Sequence, residues 1–252
     1  MNTETIVHSR FPSRDGDRRA FTLVELLTVI AIIGILAGMI IPVTIRARDA
    51  ARNAKCKGNL RALCLATNLY MNETGTFPPH QIDGSGSWPQ RLNPYLTGRQ
   101  STERGEVYAC PSQPNRALFN DGRYRRGYTA NRILWVNTAT QSTPIVRVSA
   151  VQRLSEVFLL SDGTQSAIAA DGSGGEIPGN TALPNSIRPI EAANADKFVD
   201  PGPDTDGASI TSSNANIRYR HNGAANLGFC DGSVRSFKKG TVRERNVAAI
   251  EY

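Results

Sequence analysis

FTLVELLTVIAIIGILAGMIIPV, residues Phe21 to Val43, is the stretch on which the fold turns, because Glu25 is its only charge. About twenty apolar residues suffice to cross a bilayer as a helix, and a helix buried in a soluble core rarely stays apolar all round for so long. The segment is therefore expected to insert in a membrane. Residues 1–20 before it are polar and carry Pro12, Gly16 and mixed charges, the composition of a chain that cannot bury enough apolar surface to order itself. An ordinary secretory signal would place small residues and a cleavage site after the apolar run. Here the run passes through Ile41-Pro42-Val43-Thr44-Ile45-Arg46 into further helical pattern.

Beyond Thr44 the pattern becomes amphipathic. Cys56, Leu60, Leu63, Thr67 and Tyr70 recur at spacings of four, three, four and three, one stripe of an α-helix, flanked by Leu69 and Met71. Gly75 supplies a C-terminal stop, and Pro78-Pro79 prevent continuation. One helix from Phe21 to Glu73 follows, about 80 Å long at the standard rise, with Pro42 bending it or freeing a carbonyl. Its first half belongs to a membrane and its second half presents a stripe to a head. Short runs rich in β-formers and bounded by turn residues predict strands at Glu106–Cys110, Tyr128–Val136, Glu156–Ser161, Ile217–His221, Asn226–Cys230 and Ser233–Phe237. Ala170 to Ser213, crowded with Gly, Pro, Asp and Asn, is expected to be loops.

The net charge of +7 is compatible with nucleic acid or another acidic surface. Much of it lies in Arg46, Arg48, Arg52, Lys55, Lys57 and Arg61 against Asp49 alone. A solvated helix face near lipid headgroups explains this run, and a stripe that holds DNA is the sharper alternative. Of the four cysteines, Cys56, Cys64, Cys110 and Cys230, none forms a Cys-x-x-Cys metal pair. Outside the cytoplasm three full disulfide connectivities are open to them. Cys56 and Cys64 cannot bridge each other, being about 12 Å apart on one helix. No nucleophile elbow, phosphate loop or zinc-protease helix motif occurs. Asp200, Asp204 and Asp206 resemble part of a calcium loop but lack the bidentate Glu that completes one. The expectation is thus no cofactor, with calcium at those aspartates as the exception to test, and no enzyme.

Arg18-Arg19-Ala20-Phe21-Thr22-Leu23-Val24-Glu25 resembles the processing site of type IV prepilins and type II secretion pseudopilins. The resemblance implies that a prepilin peptidase/N-methyltransferase cuts between Ala20 and Phe21 and methylates Phe21. Ala20 stands where the family usually has Gly. Glu25 matches the family's acidic residue, and a carboxylate in hydrocarbon requires a partner or an exit to water. The resemblance supplies a partner in a neighbouring subunit's amino terminus. It also places the leader, with Arg10, Arg14, Arg18 and Arg19, in the cytoplasm, although counting Lys and Arg on the two flanks gives the opposite orientation.

A second resemblance covers the head. Cys56-x-x-Asn59-Leu60, Gly75-x-Phe77-Pro78-Pro79, Cys110-Pro111-Ser112, and Arg220-His221 followed after nine residues by Asp231-Gly232-Ser233-Val234 are similar to the "prepilin-type processing-associated H-X9-DG" family. Because Cys56 and Cys110 both belong to its motifs, the resemblance implies that they pair. The residues themselves make the H-X9-DG segment a β-meander. Asn222-Gly223 turns the chain between Ile217–His221 and Asn226–Cys230, and Asp231-Gly232 turns it again. His221 and Asp231 then stand roughly 15–20 Å apart, too far to share a proton, and His221 finds another partner, with Asp162 the candidate.

The whole reads as an α+β, pilin-like protein, a long N-terminal membrane-spanning helix packed on an antiparallel β-sheet head. Residues 1–20 are the leader, 21–75 the helix and 76–252 the head, expected to be anchored in the inner membrane with the head outside the cytoplasm. The expected role is a structural subunit assembling with other pilin-like subunits. The rival role is a tethered module binding DNA or polysaccharide.

Overall fold

The computed structural model describes residues 22–79, 88–98, 105–113, 126–131, 133–135, 145–164, 190–191, 196–199, 217–247 and 250–251. The chain falls into two compact units, Met1–Arg46 and Ala47–Tyr252. Helix α1, Leu23–Thr74, contributes to both.

In the first unit α1 begins on a capping box. Thr22 Oγ1 accepts from the Glu25 amide at 3.2 Å, and Glu25 Oε2 accepts from the Thr22 amide at 2.9 Å. Two of the helix's orphan donors are thereby satisfied reciprocally. This Thr-x-x-Glu signal stands in the sequence beside the processing motif. Helix α1 continues through Pro42, and Leu23, Leu27, Ile33, Met39 and Ile45 are all more than half exposed. An apolar surface exposed on every side, in a helix long enough to span a membrane, is what lipid solvates and water does not.

In the second unit the stripe of α1 becomes the spine of a core. Cys56, Leu60, Leu63 and Thr67 are fully buried, Tyr70 is partly buried, and Cys64, Ala66 and Met71 complete the face. Gly75 ends the helix with φ at +70° and its amide on the Met71 carbonyl at 2.8 Å, a left-handed stop.

Against this helix lies a four-stranded antiparallel sheet made of β1 (Tyr128–Ala130), β2 (Phe158–Asp162), β4 (Ala224–Phe229) and β5 (Val234–Lys238), in the order β1-β2-β4-β5. Both faces of its centre are covered. Along β4 the side chains alternate, as a strand requires. Ala225, Leu227 and Phe229 enter a cluster with Phe158, Ile217, Tyr219, Val242 and Val247. Asn226 and Gly228 face α1 instead: Asn226 Nδ2 donates to Asn53 Oδ1 at 2.8 Å, and Gly228 lies over Cys64.

Four expectations are corrected. Glu106–Cys110 is not a strand: Glu106–Tyr108 forms a 3-10 turn, its backbone bonds closing on Gly105 and Glu106 instead of forming a ladder, while the Ala109 carbonyl accepts from Asn59 of α1. Ile217–His221 is not the first strand of a meander, touching the sheet only through single bridges, Gly163 to Ile217 and His221 to Ala224. β2 holds the place beside β4 that the meander assigned to it. Tyr128–Val136 shortens to Tyr128–Ala130. The Ala170–Ser213 stretch contains a two-residue strand, β3 (Ile190–Glu191), parallel to β6 (Ile250–Glu251).

An unexpected second helix, α2, runs from Trp88 to Thr97. Its two prolines hid it, yet Pro89 sits in the first turn, where its missing amide costs nothing. Gly98 closes the helix with φ at +69°. Trp88 packs edge-on against Trp135 and Tyr108, with ring centroids 5.3 and 5.7 Å away.

Candidate functional site

The first site is at the start of α1. Ala20 and Phe21 lie outside the described residues. Glu25 is described and exposed, with its carboxylate turned back onto the Thr22 amide and hydroxyl. The isolated chain thus gives the carboxylate an internal partner at the point where the resemblance supplies one from a neighbouring subunit.

The second site is where α1 meets the segment 106–113, and it assigns a job to each residue of Cys56-x-x-Asn59-Leu60. Cys56 is disulfide-bonded to Cys110. Asn59 Nδ2 donates to the Ala109 carbonyl at 3.0 Å, Leu60 is fully buried, and Lys55 pairs with Glu106 at 2.7 Å. Cys110 is held in turn by its amide on Gln113 Oε1 at 3.1 Å. Gly127 passes so close that a Cβ there would fall 2.4 Å from the Cys110 amide nitrogen, so no other residue fits.

His221 and Asp162 come to the same place from different elements. The Asn222-Gly223 pair turns with both φ positive, at 53° and 75°, and His221 and Ala224 exchange both backbone bonds. This is the two-residue hairpin turn that Asn-Gly specifies. It points the His221 ring into the core, with Nε2 3.6 Å from Cys110 Sγ and 3.2 Å from Asp162 Oδ2. Asp162 ends β2. Its Oδ2 also accepts the Asn226 amide at 2.7 Å. Oδ1 is buried with no hydrogen-bond partner among the described residues. An ionisable pair with both side chains almost wholly buried persists only where each charge is answered.

Asp231 is at the other end of β4 and is exposed. Its Oδ1 accepts the Ser233 amide at 2.8 Å, and Gly232 takes φ +84°. The turn differs in kind from the one expected. Gly232 bonds back to the Phe229 carbonyl and Phe229 to the Ser233 carbonyl, a three-residue loop with only the glycine left-handed. Asp231 and Gly232 therefore serve the turn while His221 serves the core.

Cys64 and Cys230 are free and buried. Burial, reinforced by the charge of Asp231, pushes the Cys64 thiol up to about 12, and burial pushes Cys230 up as well. Both are protonated and inert at neutral pH. The calcium candidates Asp200, Asp204 and Asp206 lie outside the described residues. What sequence reasoning missed is the convergence of Cys56, Cys110 and His221, whose ligating atoms all lie within 4.8 Å of one another. Pairwise spacing carries no signal for it, since the three are 54 and 111 residues apart.

Comparison with known families and proteins places these features. Residues 16–41 match the prokaryotic N-terminal methylation motif, and residues 46–108 match a family described as protein of unknown function (DUF1559). The chain is 38% identical over 87 residues to the type IV major pilin protein PilA of Myxococcus xanthus, covering 34% of this chain and 38% of that one. It is 33% identical over 61 residues to the type II secretion system core protein G of Pseudomonas aeruginosa, covering 24% of this chain and 43% of that one. The match thus spans less than half the length of either relative. No solved structure matches. With a methylation motif, an apolar helix and an α+β head in that order, the chain is similar to prepilins and pseudopilins.

Proposed function

We propose that the chain is a structural subunit of a type IV pilus or type II secretion pseudopilus, cut by prepilin peptidase before Phe21 and methylated there. It waits in the inner membrane with its head outside the cytoplasm and acts by assembling with other pilin-like subunits, without catalytic turnover. The observation that carries this reading is the methylation motif at 16–41, which runs into the first half of a helix whose apolar surface is exposed all round. The two-residue remainder of the leader junction, Ala20-Phe21, is its testable centre. Intact mass of the membrane-extracted protein should give a chain beginning at Phe21 with one added methyl group in a host that has the peptidase, and the full chain in a host that lacks it. Ala20→Leu should block the cut, because a bulky side chain crowds the scissile bond. Finding Met1 on the mature protein in the competent host would overturn the reading.

A second reading, a tethered head that binds DNA or polysaccharide, is favoured by one observation. Arg46, Arg48, Arg52, Lys55 and Arg61 are exposed, and among the described residues only Arg52 and Lys55 of these are drawn into ion pairs, with Asp49 and Glu106. Binding through such a run neutralises phosphates and releases counterions, so it weakens steeply with salt. Retention of the detergent-solubilised protein on DNA at low salt, lost as salt rises, supports this reading. No retention at low salt rejects its nucleic-acid branch.

A further inference from the structure

We propose that the Cys56–Cys110–His221 cluster is a redox-gated zinc site: a disulfide when oxidised, and when reduced a Zn²⁺ centre held by the two thiolates and the imidazole, with the Asp162 carboxylate beside it. The donors are two thiolates and one imidazole, a set that selects zinc among the common divalent ions. The spacing fits as well. With Zn–S about 2.3 Å and Zn–N about 2.0–2.1 Å, a tetrahedron has S···N edges of about 3.6 Å. Cys110 Sγ lies 3.6 Å from His221 Nε2. All three ligand atoms from Cys56, Cys110 and His221 fall within 4.8 Å of one another.

Asp162 Oδ1 supplies the independent observation. It is fully buried and has no hydrogen-bond partner among the described residues, although Oδ2 of the same carboxylate is held by the Asn226 amide. A buried acceptor left without a donor costs free energy that a bound cation removes. Oδ2 also lies 3.2 Å from His221 Nε2, which places this incompletely answered carboxylate beside the cluster.

The chemistry balances with a dithiol as reductant. The dithiol donates two electrons and two protons, the Cys56–Cys110 bond breaks, two thiols form, and the dithiol becomes a disulfide. Zn²⁺ then displaces the two thiol protons to solvent. The exchange adds two positive and two negative charges and leaves the net buried charge unchanged. Oxidation by a disulfide-bearing oxidant reverses the sequence and ejects the ion. Either state ties α1 to the segment carrying Cys110, and only the zinc state adds the His221 turn to the same centre.

The test uses the full chain in detergent, reduced anaerobically with a phosphine, desalted and titrated with Co²⁺ as a spectroscopic probe. One equivalent should bind with the strong visible bands of tetrahedral cobalt and near-ultraviolet thiolate charge transfer, bleached by one equivalent of Zn²⁺. The oxidised chain should show neither. Cys110→Ser and His221→Ala should abolish the signal, and the Cys64→Ser/Cys230→Ser double variant should retain it. Because the site variants disturb the core, the wild type carries its own control: zinc should raise the thermal midpoint of the reduced chain and leave that of the oxidised chain unmoved. Absence of the cobalt bands in reduced wild type, their survival in His221→Ala, or their loss in Cys64→Ser/Cys230→Ser each overturns the proposal.

Discussion

A methyl group on Gly228 would lie 2.3 Å from Cys64 Sγ, closer than any van der Waals contact allows, and the neighbouring strands pin Gly228 by pairing it with Leu160 and Val234. Gly228 has ordinary φ, so the constraint is the approach of the helix and not the backbone. Gly228→Ala is expected to cost about 1–3 kcal/mol, the range for overpacking a close-packed core. Cys64→Ala should recover most of that cost, since the next atom a methyl would meet, Leu60 Cδ2, is at an ordinary 3.6 Å. Urea midpoints across the double-mutant cycle decide it, and an undiminished cost in the Cys64→Ala background would reject this packing account. The two thiols make a second prediction at this scale. Protonated and buried, Cys64 and Cys230 should resist iodoacetamide at pH 8 in the folded chain and react promptly in urea, as mass spectrometry of the quenched protein will show.

The link between α1 and the segment 106–113 combines one covalent bond, the Asn59 bond to the Ala109 carbonyl and the exposed Lys55–Glu106 pair. Closing a loop of 54 residues stabilises by about 4 kcal/mol in the chain-entropy model. Cys56→Ala/Cys110→Ala should therefore lower stability by about that amount, whereas Lys55→Ala should change it by well under 1 kcal/mol, as exposed ion pairs generally do. Equal losses in the two variants would mean the disulfide is not the main tie. The elements themselves were legible to different degrees. Helix α1 and its Gly75 stop are written in composition and period, β5 in Val234 and Phe237, and β4 in its place between the Asn222-Gly223 and Asp231-Gly232 turns. Glu106–Cys110 looked like a strand because Val107 and Tyr108 are β-formers, but local propensity cannot report that its polar groups bond to a helix fifty residues away. Helix α2 was masked by Pro89 and Pro94, which count against a helix unless the first is recognised as its opening turn. His221 was legible as structural and as a neighbour of Asp162. Its approach to Cys110 was not, because three elements converge there and no spacing in the chain encodes the meeting.

For the molecule as a whole, the raised thiols predict an alkaline weakness. Cys64 moves from an ordinary value near 9.0 to about 12, and Cys230 moves in the same direction. Below pH 9 folded and unfolded chains hold the same thiol protons, so this contribution is fully present. Between 9 and 12 the unfolded chain loses protons the folded one keeps, and stability falls as pH rises. Urea midpoints measured at pH 8 and pH 10.5 should drop more in the wild type than in Cys64→Ala/Cys230→Ala, and parallel slopes would assign the alkaline loss to other groups. The disulfide has one more consequence, a mechanical one. Under the proposed function, tension enters the head along α1, the element that continues into the assembly. Cys56, Leu60, Leu63 and Thr67 are stacked along that axis, so a pull loads their contacts with the sheet in shear. A helix held only by packing can slide and then peel. Here Cys56, the first buried residue of the face, is the point that load reaches first, and it is tied covalently to Cys110. The joint therefore behaves as a rivet ahead of an adhesive seam, and a single-molecule pull on the reduced head should slip at lower force than the same pull on the oxidised one.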